Sequence, residues 1–570
     1  MSIKIGVFIC HCGTNIGGTV AVPEVVEYAK SLPHVAYAEG NLYTCSEDGL
    51  SSIRLKVEEE DLNRVVVASC TPRTHEPLFR KNCEQAGLNK YLFEFVNLRE
   101  HCSWVHMEQA DEATVKAKDL VRMGVAKVAL LTPQKDLTSN VIRTSLVIGG
   151  GISGLSASLT LANQGYQVEL IEKKDHLGGL LGNVNRVFPT NESVSDLLDP
   201  LIKAVLNHKN IRCHLEADLL EVQGFIGNFL ATIESSGERE ELTAGTIIVA
   251  TGAVEHKPKG NFGYGQFDNV MTQLEFEQTY NESYKDLNRI VMINCVGARV
   301  EERTYCGRFC CMTGMKNAIS VKKTNPHAEV SILQRDIMAY GKAFEDYYRE
   351  AMKLGVKFIR YNVDQPPEIF GSQGRAQGVK VYHELTGKEI TLDVDLLLLT
   401  TPLVPGEDVQ RLSRIMRIPV GIEGFFLEAH QKLRPVEFPS EGIFIAGCAR
   451  YPTEISECVA QGYAAAAKAA IPMAQGEVIS EAFTAEVDPM KCSTCGRCLG
   501  ICPFGAIDWK DLKGPAVEAN RVALVNATEC KGCGLCVASC LSSAIQLKGY
   551  TDEEILAMVC TTLDVQYLTQ

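Results

Sequence analysis

Nowhere in the 570 residues does an apolar run approach the 18 or so that a membrane span needs. The opening Met1-Ser-Ile-Lys-Ile-Gly6 enters a strand-like pattern and lacks the anatomy of a signal peptide. There is no Lys/Arg block either: 56 basic residues face 70 acidic ones for a net charge of -14, so nucleic acid is not an expected partner. Nor is the composition that of a disordered chain, with 46% hydrophobic and 22% charged residues. At about 150 residues per domain the length implies roughly four modules. The expectation is a soluble, cytoplasmic, multidomain globular protein.

Cysteine is what the chain has in excess. A reducing compartment removes structural disulfides as the usual explanation for 22 of them, which leaves metal ligands or redox groups. Their distribution is uneven: six lie between Cys10 and Cys102, four between Cys295 and Cys311, and eight between Cys492 and Cys540.

Strand-like runs at Lys4 to Ile9 and Val65 to Ala68, with helical spacing at Val22 to Ser31 and Ala113 to Val128, make residues 1–137 an α/β domain. The polar stretch Leu131 to Asn140, with Pro133, is the first linker. A new strand then runs into Gly149-Gly-Gly-Ile-Ser-Gly154, an Ala/Leu-rich helix and a second strand ending at Glu172. In that context Gly149, Gly151 and Gly154 let backbone approach a pyrophosphate at a helix N-terminus, and Glu172 accepts from an adenosine ribose hydroxyl. Gly178-Gly179, the strand Thr246 to Gly252 ending in a small-residue turn, and Gly442 to Gly447 before a helix from about Glu454 to Ala470 favour FAD over NAD. Together these resemble the pyridine nucleotide-disulfide oxidoreductase flavoproteins, thioredoxin reductase among them, in which a helix N-terminus near the flavin N1/O2 edge stabilises the reduced ring. The expected FAD contacts are Gly149, Gly151, Gly154, Glu172, Lys173, Gly179, Thr251, Gly252, Gly447 and Cys448. The FAD domain would take residues 138–287 and resume over 401–478, around a second Rossmann-like subdomain at 288–400.

That second unit lacks its glycine loop. The matching strand is Arg289 to Gly297, where the chain carries Cys295, Cys306, Cys310 and Cys311 in place of that loop, and the next strand, Val330 to Leu333, ends in Gln334-Arg335 without an acidic ribose ligand. Pyridine nucleotide is not expected there. Four thiolates in seventeen residues can converge on one 4Fe-4S cluster; a zinc site, a redox-active Cys310/Cys311 pair and inert buried thiols are the alternatives. Residues 479–570 are an α+β two-cluster ferredoxin domain, because Cys492, Cys495, Cys498, Cys502 and Cys530, Cys533, Cys536, Cys540 repeat the bacterial spacing. Since the fourth cysteine of such a run crosses over, one cluster takes Cys492, Cys495, Cys498 and Cys540, and the other Cys530, Cys533, Cys536 and Cys502. Pro503 follows the first run, while Leu541 stands in the matching place after the second.

The N-terminal block contains Phe8-Ile-Cys-His-Cys-Gly13, Cys45, Ala68-Ser-Cys-Thr-Pro-Arg-Thr-His-Glu-Pro77, Cys83 and Cys102; spacing alone leaves cluster ligands and core thiols both open. Taken with the Cys295 to Cys311 pattern and the ferredoxin tail, these segments resemble the heterodisulfide reductase A-subunit family over essentially the whole chain. The resemblance implies an iron-sulfur flavoprotein enzyme, an oxidoreductase in which FAD divides an electron pair between a low-potential ferredoxin route and a high-potential acceptor such as a heterodisulfide. It implies a mid-chain cluster on Cys295, Cys306, Cys310 and Cys311, and a lysine facing flavin N5 at Lys316. It also implies an N-terminal cluster, here expected on Cys45, Cys70 and Cys102 with Cys10 or Cys12 of the early pair, Cys10 being preferred. The implied partners are B- and C-like subunits, ferredoxin and an electron-input module (hydrogenase, formate dehydrogenase or NADH module), with a homodimer inside the larger complex. Longer members insert a further two-cluster module in the flavin domain, yet between Gly154 and Gly245 this chain has only Cys213, which puts the exit to free ferredoxin in doubt. An NAD(P)H-dependent disulfide reductase and a non-bifurcating wiring scaffold are the competing functions.

Overall fold

The computed structural model describes residues 2–279, 287–511 and 521–563. The chain divides into two compact units. One joins the N-terminal segment through Thr138 to the C-terminal segment from Ile479, and the other is Ser139–Val478.

In the first unit four parallel strands, β1 (Ile5–Cys10), β2 (Val35–Asn41), β3 (Arg64–Ser69) and β4 (Phe93–Asn97), stand in the order β2-β1-β3-β4. β1 is buried along its whole length, as a parallel strand covered on both faces by helices requires. The long helix Ala110–Leu130 closes one face of this sheet. The helix Asp552–Thr562 from the far end of the chain packs on it, started by a capping box between Thr551 and Glu554. Between these ends, Tyr91 Oη donates to Asp136 at 2.5 Å and accepts from the Ala482 N–H at 2.8 Å, while its ring meets Phe483 edge-on at 5.2 Å. Lys127, buried and paired with Glu94 at 2.8 Å, sits 3.8 Å from the ring centre of Tyr550. The N-terminal and ferredoxin-like segments, separate in the sequence reading, thus share one unit.

The second unit holds two five-stranded parallel sheets. One orders Ile443–Ile445, Thr246–Val249, Thr144–Ile148, Gln167–Ile171 and Ile211–His214. The other orders Val270–Thr272, Leu396–Leu399, Arg289–Ile293, Glu329–Gln334 and Lys357–Arg360. The helix Ile152–Asn163 leaves the glycine turn of the first sheet and packs against the Ala-rich helix Ile455–Gln475. Their approach is close because Gly462 has no side chain: a Cβ there would stand 2.6 Å from the Ser153 carbonyl oxygen. No helix among the described residues is long and apolar enough to cross a membrane.

Candidate functional site: a nucleotide cavity ringed by thiols

A cavity of about 670 Å³ opens at the C-terminal edge of the first sheet of the second unit, where α/β folds bind ligands. Gly149, Gly151, Glu172, Lys173, Gly179, Thr251, Gly252 and Cys448 line it. The three turn glycines do different work. Gly149 holds φ +108°, and a Cβ on it would run into the Ala250 carbonyl. A Cβ on Gly154 would strike the Gly149 carbonyl, so this glycine seats the helix against the turn. A Cβ on Gly151 would meet nothing nearer than Gly179 Cα at 3.9 Å and would fill cavity space instead. Gly447 lies behind the wall, its missing Cβ making room for Ser153 Oγ.

The polar groups fit a dinucleotide as well. Glu172 accepts from the backbone N–H of Gly150 at 2.6 Å and of Lys174 at 3.0 Å, which fixes its carboxylate at the turn. Thr251 Oγ1 is buried without a partner on this wall. Lys173 is more peripheral than the sequence suggests: it pairs with Asp408 at 2.6 Å, and that hydrogen bond lifts its pKa above the ordinary lysine value.

A second cavity of about 160 Å³ adjoins the first and shares Ile152, Leu181, Cys448 and Cys458 with it. Gly307, Phe309, Cys310 and Lys316 come to its wall from the second sheet's side. Lys316 is not a bare cation. Its Nζ donates to both oxygens of Glu277, at 2.7 and 2.6 Å, and to the Arg186 carbonyl at 2.9 Å, which engages all three ammonium donors. Burial draws its pKa below the lysine value, and Glu277 opposes that shift. The helix Ile455–Gln475 also differs from expectation at its N-terminus, where the Glu454 carboxylate caps the N–H groups of Ser456 and Glu457. That end of the helix is already partly neutralised.

The mid-chain cysteines meet in this region. Cys295 follows the strand Arg289–Ile293 with φ +64°, and Cys310 and Cys311 begin the helix Cys310–Thr324. Burial pushes the Cys310 thiol well up, and Cys311, Cys295 and Cys306 add to the shift, so the four sulfurs are electrostatic neighbours. In the C-terminal segment, Cys502 shares a small cavity with Cys530, Cys533 and Cys536, and Cys540 shares another with Cys492, Cys495 and Cys498. Backbone N–H groups point at these sulfurs: Ala506 at Cys502, Ala544 at Cys540 and Ala485 at Cys530, each within 3.4 Å.

In the N-terminal sheet the grouping departs from the expected set. Cys10 Sγ accepts from the N–H groups of Cys12 and Thr44, at 3.2 and 3.4 Å. Burial raises the thiols of Cys12 and Cys45, and in both Cys10 and Cys70 contribute to the rise. Cys10, Cys12, Cys45 and Cys70 therefore gather at the C-terminal ends of β1, β2 and β3. Cys102 does not join them; it is fully buried in the apolar core, and its Sγ lies 3.0 Å from the Ala113 carbonyl. In this packing Cys102 sits as a core thiol against the helix Ala110–Leu130. Among the described residues no three His, Cys, Asp or Glu side chains close around a single metal ion, whose Zn–S bonds would be only about 2.3 Å.

Comparison with known proteins matches two family models: an NAD(P)-binding Rossmann-like domain at residues 147–197 and a 4Fe-4S dicluster domain at 491–545. Among solved structures, thioredoxin reductase from T. acidophilum covers 57% of this chain and 98% of its own at 18% identity, with TM-score 0.42. An iron-sulfur A-subunit of the CoB–CoM heterodisulfide reductase of Methanopyrus kandleri, the first of two in that organism, is 39% identical over 657 aligned residues, covering 98% of this chain and 97% of the relative. The A-subunit of the H(2):CoB-CoM heterodisulfide,ferredoxin reductase of Methanothermobacter marburgensis is 38% identical over 597, covering 88% and 90%. Both alignments are longer than this chain of 570 residues, so the relatives carry segments it lacks. Identity at this level across nearly the full length of both partners, joined to a nucleotide-binding Rossmann turn and a 4Fe-4S dicluster tail, places the chain in the heterodisulfide reductase A-subunit family of oxidoreductases.

Proposed function

We propose that this protein is the FAD-bearing, iron-sulfur electron-transfer component of a heterodisulfide-reductase-type complex, and that it bifurcates electron pairs between a low-potential and a high-potential route. FAD supplies the exchange between paired and single electrons, and 4Fe-4S clusters carry single electrons onward. The observation that carries this reading is adjacency: the cavity suited to a flavin ring has Cys310 on its wall.

In this reading Gly151 and Gly179 leave room for the pyrophosphate, Glu172 accepts from the adenosine ribose, and Thr251 offers its free hydroxyl to the cofactor. The apolar wall of the smaller cavity, with Ile152, Leu181 and Phe309, keeps water from the ring. The Lys316–Glu277 pair presents a fixed dipole there. Cys295, Cys306, Cys310 and Cys311 hold one cluster, and Cys10, Cys12, Cys45 and Cys70 another. The tail holds two, on Cys492, Cys495, Cys498 and Cys540 and on Cys530, Cys533, Cys536 and Cys502. B- and C-like subunits, together with an electron-input module, complete the assembly. The relatives' names, which mention hydrogen, ferredoxin and CoB-CoM heterodisulfide, support that assignment.

Iron, acid-labile sulfide and flavin determined per chain on anaerobically purified protein test the cofactor content. About 16 iron atoms with one FAD are expected, and about eight would leave only the ferredoxin-type pair. Bifurcation itself is tested in the reconstituted complex. Reduction of the low-potential acceptor must stop when the high-potential acceptor is withheld, and uncoupled reduction of either one would overturn it.

A further inference from the structure

One pair of sulfurs at the cavity belongs to none of the four-cysteine groups. Cys448 lies in the turn after the strand Ile443–Ile445, and Cys458 lies in the first turn of the helix Ile455–Gln475. Their Sγ atoms are 3.9 Å apart, and both approach the Thr453 carbonyl, at 3.2 and 3.7 Å. Both residues line both cavities, so the pair stands where the adenine-side and ring-side spaces meet. The hydrogen bond from Cys458 draws the Cys448 thiol below its ordinary value in spite of burial, while Cys458 is pushed well up. Arg308, which reaches over from the Cys306–Cys310 loop to bond the Pro452 carbonyl and Glu457, adds positive charge on the same side.

We propose that Cys448 and Cys458 are a redox-active dithiol that exchanges an electron pair with FAD bound in the adjoining cavity. This rests on the reading of the cavity as the FAD site. On oxidation two S–H bonds break and one S–S bond forms. Two electrons and one proton pass to the oxidised flavin, and the second proton leaves to solvent. The reverse reaction opens the disulfide at the expense of the two-electron-reduced flavin. A sulfur–sulfur contact of 3.9 Å closes to a bond of about 2.05 Å by movement of the short turn between the residues. The pair would let the chain hold one electron pair beyond what its flavin and clusters store.

The test is thiol accounting on the holoprotein, with FAD measured on the same sample. Protein held oxidised, and protein reduced with dithionite, are denatured in acid and alkylated with iodoacetamide, and the peptide carrying Cys448 and Cys458 is weighed. The oxidised sample should give an unlabelled peptide about 2 Da lighter than the dithiol, and the reduced sample a doubly labelled one. Double labelling in both samples at one FAD per chain would overturn the dithiol and leave the cofactor reading intact. Absence of FAD would overturn the cofactor reading beneath it. Cys458→Ser should retain FAD and take up two fewer electron equivalents per chain in a reductive titration, and unchanged uptake would also overturn the proposal.

Discussion

At the scale of the residue, Lys316 and Glu277 show how a buried charge changes meaning once its partner is known. Read alone, Lys316 is a cation beside the flavin; in the structure its three donors are spent and its charge is matched. Lys316→Met therefore strands a buried carboxylate and should destabilise the protein by about 3–5 kcal/mol. Lys316→Met with Glu277→Met should recover much of that loss in a denaturant melt. Gly151→Val is different in kind, because its side chain would enter the cavity and not the protein. FAD should fall from one per chain to nearly none while the iron of the tail is retained, and stoichiometric FAD in that variant would refute the site. Cys102 gives the third case. Cys102→Ala should keep all iron, whereas Cys12→Ala should lose about four iron atoms from a single cubane.

Elements decide which of these facts can be read in advance. The tandem cysteine runs and the Gly149 to Gly154 turn are local, so spacing alone announces them. Cys502→Ser should accordingly disturb the EPR signal of the cluster held by Cys530, Cys533 and Cys536, and a change confined to the other cluster would refute the pairing. The N-terminal cysteines lie at the ends of three different strands and, in Cys102, against the helix Ala110–Leu130, and no spacing rule says which of them meet. Cys458 escapes a sequence reading for a similar reason: it looks like one more apolar position on an Ala-rich helix. Its signal is a second cysteine just upstream, across a turn whose closure spacing does not reveal. The same non-local logic governs the joint around Tyr91. Although partial burial works upward, hydrogen bonds from Lys90 and Tyr91 hold the Asp136 carboxyl below its ordinary value. A lowered folded pKa means stabilisation present above the unfolded value of about 3.9 and lost as pH falls below it. Asp136→Asn should flatten the acid limb of the unfolding curve over that range.

For the whole molecule, the sequence reading and the structure agree on the kinds of modules and differ on how they are grouped. The two sequence ends fall in one unit, in contact through Tyr91, Phe483 and the helices Ala110–Leu130 and Asp552–Thr562, and the three middle segments form the other. Hydrophobic periodicity marks a face as buried without saying what covers it. Here the helix Asp552–Thr562 of the last segment lies on the long helix of the first.

That arrangement imposes an order on biosynthesis. Domains fold as units during synthesis, at about 5–20 residues per second. The nucleotide-binding unit, contiguous from Ser139 to Val478, can close as soon as its last strand and helix have emerged. The N-terminal sheet, made first, builds its core from Ile5 to Leu131 alone, and only the contact of its long helix with Asp552–Thr562 waits for residues made last. The four N-terminal thiols lie at the opposite, C-terminal edge of that sheet, and Cys12 and Cys45 stay partly exposed, so loading them with iron and sulfide need not await the tail.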